Sequence, residues 1–260
     1  MKNLTVVKVG GGVLENEESS SQFLKAFAAL EGNKLLVHGG GRLADQYLLK
    51  LGLKPNMVNG RRVTDKDTLE VVTMVYGGLV NKQLVANLQS RKVNAIGLTG
   101  ADGNLIVSVK RPSDDGVDWG FVGDPIEVNA DTLNDLVAQG TVPVIAPLTH
   151  DGKGTLLNTN ADTMATVVSV ALARHYEVTL IFAFDKAGVL TDVDDDNSVV
   201  EKIDEAGFAE MKASGQIHSG MIPKLESAFE ALNEGIRKIR IVGFANISNE
   251  KAGTTLQLEK

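Results

Sequence analysis

The sequence predicts an α/β protein in which a mostly parallel sheet is covered by helices on both faces. Three observations carry this expectation. Short runs rich in Val, Ile and Leu recur along the chain, as in strands buried on both sides. Longer segments with apolar residues at helical spacing separate them. Glycine-rich or acidic loops follow three of those runs, at the strand ends where open parallel sheets bind ligands.

The elements follow in order. Leu4 to Val9 (LTVVKV) is rich in β-branched residues and opens as a strand. Glu17 to Leu30 reads as a helix, with Phe23, Phe27 and Leu30 on one face and Gly32-Asn33 as its stop. Lys34 to Val37 is the next strand and Arg42 to Leu51 the next helix. A long helix is predicted over Asp67 to Gln89, then a buried strand at Asn94 to Leu98. From Leu105 to Val128 the rhythm breaks: LIVSVKR and WGFVGDPIEV read as hairpin strands inserted on the α/β frame. Val142 to Ala146 returns to the buried-strand pattern, and a second hairpin is expected at Thr149 to Asn158, around Asp151-Gly152. A helix at Ala161 to Arg174, a strand at Val178 to Phe184 and a helix at Met221 to Asn233 follow. Lys238 to Val242 closes the core pattern. The acidic run Asp192 to Asp196 reads as a solvated turn, because neighbouring acids cannot all face one cation.

Composition excludes several functions. The 260 residues include no cysteine, which removes disulfide frameworks, thiolate metal sites and thiol catalysis. Asp plus Glu outnumber Lys plus Arg by 33 to 26, a balance unsuited to gripping duplex nucleic acid. Aromatics at 5% leave little for single-strand stacking platforms. No apolar run reaches the ~18 residues of a membrane span, and the start lacks a signal peptide's apolar region. A cytoplasmic enzyme is the expectation, with length for one large domain or two lobes.

The excess of glycine, 27 residues, is informative where it clusters. Strand one runs into Gly10-Gly11-Gly12 and strand two into His38-Gly39-Gly40-Gly41. Such loops bring backbone N–H groups close to an anion, and each following helix offers its N-terminus; the bland reading of each loop is a tight turn. The P-loop pattern is absent. Gly39 to Ala44 fits the dinucleotide G-x-G-x-x-A pattern, which keeps a nicotinamide-dependent oxidoreductase open. The acidic residue expected about 20 residues later is missing, however, and Val58 to Thr64 reads VNGRRVT. An esterase oxyanion loop is ruled out, since no G-x-S-x-G nucleophile exists. Lys8 lies inside an apolar strand just before the first glycines and reads as a cation at an anion site, against a solvent-facing edge residue. Lys224, in GMIPK, falls in the first turn of a helix. Asn158 and Asn160 are candidate caps for the helix at Ala161, and Asp162 lies in its first turn.

Taken in order, VKVGGG, VHGGG, NGRRVT, LNTNAD and GMIPK resemble the amino acid kinase family, in its branch that phosphorylates acetylglutamate. The motifs reach from one end of the chain to the other. The resemblance implies a three-layer αβα sandwich with a central eight-stranded, mostly parallel sheet. Residues 1–176 would form a lobe for the acyl amino acid and dimerisation, and residues 177–260 a lobe for ATP. Lys8 and Lys224 would stabilise the transferring phosphoryl group, Asp162 would hold both lysines, and Gly11 would donate an N–H to it. Gly40 and Gly41 would bind the acylated glutamate, Arg62 would clamp its α-carboxylate, and Asn158, with Asn160, would contact the acylamino part. Gly10, Gly12, Asp185, Lys186, Gly188, Val189, Leu190, Gln216, Ile217 and His218 would line the nucleotide.

The implied reaction moves the ATP γ-phosphoryl group to the γ-carboxylate of N-acetyl-L-glutamate, the second step of arginine biosynthesis. That oxygen is already ionised at neutral pH, so no general base is needed, and His38 reads as structural. Mg²⁺ would accompany ATP, held mainly by phosphates, with no protein metal ligand expected. A succinyl cap on glutamate, or a blocked aminoadipate, is the alternative acceptor. The cap pocket is expected near Leu105 to Val128, where Trp119 reads as a packed hairpin residue. The first strand begins near Leu4, and with the resemblance this implies an unregulated form without the arginine-responsive N-terminal helix; the homodimer is implied by the resemblance alone. Small molecules are its expected partners, with neither nucleic acid nor membrane.

Overall fold

The computed structural model describes residues 1–258 except 59, 114, 115, 193, 196, 197 and 218–220, together with all side chains in that set but that of residue 223. Strands are β1 (Lys2–Val9), β2 (Asn33–His38), β3 (Met57–Val58), β4 (Arg61–Arg62), β5 (Ala95–Leu98), β6 (Ile106–Lys110), β7 (Gly123–Val128), β8 (Val142–Ile145), β9 (Leu148–His150), β10 (Leu156–Asn158), β11 (Tyr176–Phe184), β12 (Lys202–Ile203), β13 (Lys238–Gly243) and β14 (Thr254–Leu256). Helices are α1 (Gly11–Glu15), α2 (Glu17–Ala28), α3 (Gly41–Lys50), α4 (Lys66–Val72), α5 (Asn81–Ser90), α6 (Ala130–Ala138), α7 (Ala161–Leu172), α8 (Glu205–Ala213) and α9 (Ile222–Asn233).

Among the described residues, eight strands form one sheet in the order β12-β14-β13-β11-β1-β2-β8-β5. All neighbours pair in parallel except β13 and β14. The alternation of β1 explains the layering. Leu4 and Val6 point into one core with Met164, Val168 and Leu172 of α7 and Phe229 of α9. Val7 and Val9 point into the other, with Phe23 and Phe27 of α2 and Leu48 of α3. Each face of the strand meets its own helix layer, which makes the three-layer αβα sandwich. Among the described residues no helix is long and apolar enough to cross a membrane.

Both expected insertions are hairpins. β6 pairs antiparallel with β7, β9 pairs antiparallel with β10, and β6 joins β9 in parallel to make a four-stranded sheet. Three local expectations need correction. The helix read as Asp67 to Gln89 is α4 and α5 joined through a π-helical segment, Thr73–Val80, whose wider turns carry Tyr76 and the Gly77-Gly78 pair. Lys238 to Val242 does not close the sheet, because β14 follows antiparallel and carries β12 on its far edge. Helices α1, α6 and α8 are additional to the helices the sequence predicts. They are short, and α6 and α8 announce themselves mainly by their caps, Asn129 and Asp204, which accept hydrogen bonds from Thr132 and Gly207. The described part of the acidic run is a turn in which Asp192 accepts from the N–H of Asp194.

Candidate functional site

β1 and β2 lie side by side in the middle of the sheet, and their carboxyl ends bring the two glycine loops together. The N–H of Gly39 donates to the carbonyl of Val9 at 2.9 Å. A Cβ on Gly11 would fall 3.2 Å from Gly40 Cα, so the backbones pack directly on each other. A Cβ on Gly40 would lie 2.9 Å from the Tyr76 ring. Its φ of 172° is ordinary extended backbone, so glycine is needed there for space. Gly11 and Gly41 are the first residues of α1 and α3, leaving helical N–H groups at the strand ends.

His38 supports this corner from below. It is fully buried; its Nδ1–H donates to the Gly39 carbonyl at 2.8 Å, and its Nε2 accepts from Asn81 Nδ2 at 3.1 Å. Burial pushes its pKa down to about 4, the Gly39 contact opposes this, and Lys82 adds to it. It is therefore neutral at pH 7.

Lys8 is buried in a central strand, in register with Val37 and Phe182. Its Nζ lies 2.7 Å from Asp162 Oδ1 and 5.6 Å from the Phe184 ring centroid. The other lysine, Lys224, enters from the first turn of α9 and holds its Nζ 4.7 Å from the same ring. Phe184 thus gathers both ammonium groups, while Asp162 bonds Lys8. Among the described residues no ion pair joins Lys224 to Asp162. Asp162 is placed by Asn160, which caps α7 by accepting from the N–H groups of Asp162 and Thr163 at 2.8 and 3.1 Å. Of the two asparagines, Asn160 is the cap; buried Asn158 ends β10 and donates to Thr64 Oγ1 at 2.9 Å.

Two of the cavities beside these groups share lining residues. The smaller, about 190 Å³, is lined by Gly40, Gly41, Arg62, Tyr76, Arg111 and Asn158 among others. Arg62 is buried: Nη1 donates to Asp45 at 2.5 Å and Nη2 to the Gly41 carbonyl at 2.9 Å. Burial disfavours its charge, but Asp45 and Tyr76 outweigh that and raise its pKa, so the guanidinium stays charged. Arg111 reaches the cavity from β6–β7, paired with Asp124 and lying over the buried Trp119 ring. Asp45, Tyr76 and Arg111 went unnoticed in the sequence. For Asp45 a signal existed, an acid one turn after Gly41; Tyr76 and Arg111 are brought in by tertiary packing alone.

The larger cavity, about 660 Å³, is lined by Asp162, Thr166, Phe182, Phe184 and Lys224. Gly60, Arg61 and Asn160 line both cavities, so the two share a wall. The remaining expected positions are scattered. Gly12 lies beside Arg42 and Asp185, and Gly10 beside Lys8. Asp185, Lys186 and Gln216 are exposed. Val189, Leu190 and Ile217 are buried apolar side chains, and Val189 and Ile217 belong to the core. Gly188 packs against Thr254, whose hydroxyl accepts from the Val189 N–H at 2.8 Å. His218 lies outside the described residues.

Cations and helix N-termini at adjacent strand ends, facing one small polar cavity and one larger cavity, define an enzyme built to handle anions on an α/β sheet. The chain belongs to the amino acid kinase family, whose model matches residues 3–243. It is 55% identical to an acetylglutamate kinase of Phocaeicola vulgatus, over 98% of this chain and 99% of that protein. Among solved structures it resembles smu.665 of Streptococcus mutans UA159 (TM-score 0.80, 28% identity, 99% of both chains). A carbamate kinase from Giardia shares the fold at 12% identity (TM-score 0.71, 99% of both chains).

Proposed function

We infer the following reaction from the site and the relatives. The chain is a phosphotransferase that uses ATP to phosphorylate the γ-carboxylate of N-acetyl-L-glutamate, in arginine biosynthesis. The products are N-acetyl-L-glutamyl 5-phosphate and ADP. The single observation that carries the mechanism is the Lys8–Asp162 pair, a buried lysine of central strand β1 bonded to a half-buried carboxylate in the first turn of α7, beside the first glycine loop.

In this reading the acylated glutamate occupies the smaller cavity. Arg62 faces its α-carboxylate, Asn158 the acylamino group, and Gly40 and Gly41 the reacting carboxylate. ATP occupies the larger cavity, with its γ-phosphate toward Lys8, Lys224 and the Gly11 N–H. The acceptor oxygen attacks phosphorus, the bond to the β,γ-bridging oxygen breaks, and ADP leaves with that electron pair. No proton moves, so neutral His38 has no part in the step. The barrier arises from bringing a carboxylate to a polyphosphate, and fixed cations and N–H donors lower it. Mg²⁺ suits phosphate oxygens and water.

The division into an acceptor lobe, residues 1–176, and a nucleotide lobe, residues 177–260, is supported by the cavity walls. Among the described residues the smaller is lined by positions between Gly39 and Ala161, and the larger adds Phe182 to Ile241. A cytoplasmic homodimer belongs to the same reading. Edge strand β5 leaves Ile96 exposed, an apolar position suited to a partner, and light scattering tests the mass. One observation favours a second acceptor: Arg111 adds a guanidinium to the acceptor cavity, which would suit a cap with its own carboxylate, such as succinyl.

The test is ADP release with acetyl-, succinyl- and unblocked glutamate, aspartate and aminoadipate, with hydroxylamine to trap an acyl phosphate. Turnover with acetylglutamate and a trapped hydroxamate is expected. ADP release without a hydroxamate would remove the carboxylate as acceptor.

A further inference from the structure

We propose that Arg61 is a phosphoryl-binding residue: its guanidinium meets the phosphate group as it passes from nucleotide to acceptor. The proposal rests on the kinase reaction above.

Three observations lead to it. First, Arg61 lines both cavities, on the wall they share with Gly60 and Asn160. In the proposed reaction the one group that belongs to both cavities is the transferring phosphoryl. Second, the strand alternation of β4 separates the two arginines. Arg62 is buried, with two of its N–H groups given to Asp45 and Gly41, whereas Arg61 is exposed at the cavity mouths. The α-carboxylate of the acceptor is thus served by Arg62 on the inner side, and Arg61 is left for another anion. Third, the charges at the boundary are unevenly matched. Lys8 is matched by Asp162 and Arg62 by Asp45. Among the described residues no carboxylate pairs with Arg61 or Lys224. A polyphosphate meeting a dicarboxylate brings negative charge that the two matched pairs do not offset. Arg61 and Lys224, which both line the larger cavity, supply what is lacking. A guanidinium fork also spans two phosphate oxygens, which an ammonium does not.

The experiment compares Arg61→Gln and Arg61→Lys with the unaltered chain by steady-state kinetics. Binding of acetylglutamate alone is measured by calorimetry. Arg61→Gln is expected to lower kcat/KM for ATP by about 10- to 100-fold, the range for losing one charge-assisted contact to a transferring group. Acetylglutamate binding should stay within about twofold, and Arg61→Lys should recover part of the loss, because an ammonium still pairs with phosphate as a point charge. A merely structural role would not split the two ligands in this way. Unchanged kcat/KM for ATP in Arg61→Gln overturns the proposal, as does weakened acetylglutamate binding with kcat/KM for ATP intact. If the unaltered chain releases no ADP with acetylglutamate, the reaction itself is wrong and the role of Arg61 falls with it. That result is distinct from an active chain matched by its variant.

Discussion

Lys8 and Lys34 are both buried lysines on adjacent central strands, yet they face opposite ends of the sheet. Lys34 sits near the start of β2 and turns toward the end of α2. Its Nζ donates to the carbonyls of Phe27, Ala28 and Leu30 at 3.1, 2.9 and 2.7 Å. Three donors meet three acceptors, so the ammonium is saturated and caps the helix. Lys8, at the other end, has one carboxylate and an aromatic face, and that carboxylate, Asp162, lines the larger cavity. Burial marks both residues as unusual. Saturation tells them apart: a filled cation holds the fold, and a partly filled one is available to a ligand.

The largest effect expected from this contrast is on turnover. Lys8→Ala should lower kcat by about 100- to 1000-fold, as loss of one oxyanion-type donor does, with modest change in either KM; Lys224→Ala should do the same. A variant keeping more than about a third of normal turnover would erase the distinction for that lysine.

His38 sharpens the contrast from the site end, because it is saturated although it lies under the glycine loops. The unfolded chain takes up its proton near 6.5, the folded chain near 4. Stability from neutral His38 is therefore complete above about 6.5 and is lost as pH falls toward 4. The full difference is about 3 kcal/mol. Denaturant unfolding of the chain and of His38→Gln across that range checks it. The variant should show a shallower acid loss, and equal slopes would contradict a buried neutral histidine.

Lys34→Ala should cost about 2–3 kcal/mol of stability, since three helix-terminal carbonyls lose a charged donor. Its kinetic constants at a temperature where it is folded should match those of the unaltered chain. A large kcat loss there would break the rule that saturation separates structure from function.

The smallest effect expected is at Arg62, which is intermediate, with two N–H groups taken and others open to the cavity. Arg62→Lys should raise KM for acetylglutamate by about tenfold and spare KM for ATP, because an ammonium cannot match a carboxylate bidentately. If both constants move together, the clamp reading fails.

The residues that were legible in the sequence are those whose neighbours in sequence are also their neighbours in space. The two glycine runs, Lys8, and the Asn160–Asp162 turn were readable because a strand end followed by a helix start is a local pattern. Tyr76 was not readable as a site residue. Its ring reaches Gly40 only because a π-helical segment interrupts the helix, and that widening leaves no clear mark in apolar spacing. Arg111 needed the hairpin to fold over the sheet, and Lys34 looked like an ordinary strand residue because its three acceptors lie on the preceding helix. Strands β12 and β14 are only two and three residues long, below what periodicity resolves.

The shared wall of Gly60, Arg61 and Asn160 has one more consequence. In the proposed reaction the phosphoryl group passes between these two neighbouring compartments, so a single molecule that fills both is a natural ligand. A compound joining an adenosine polyphosphate to an acylated glutamate through its side chain would surrender translational and rotational freedom once rather than twice. Such a hybrid inhibitor should bind far more tightly than either half, and the best number of bridging phosphates would measure the span across that wall.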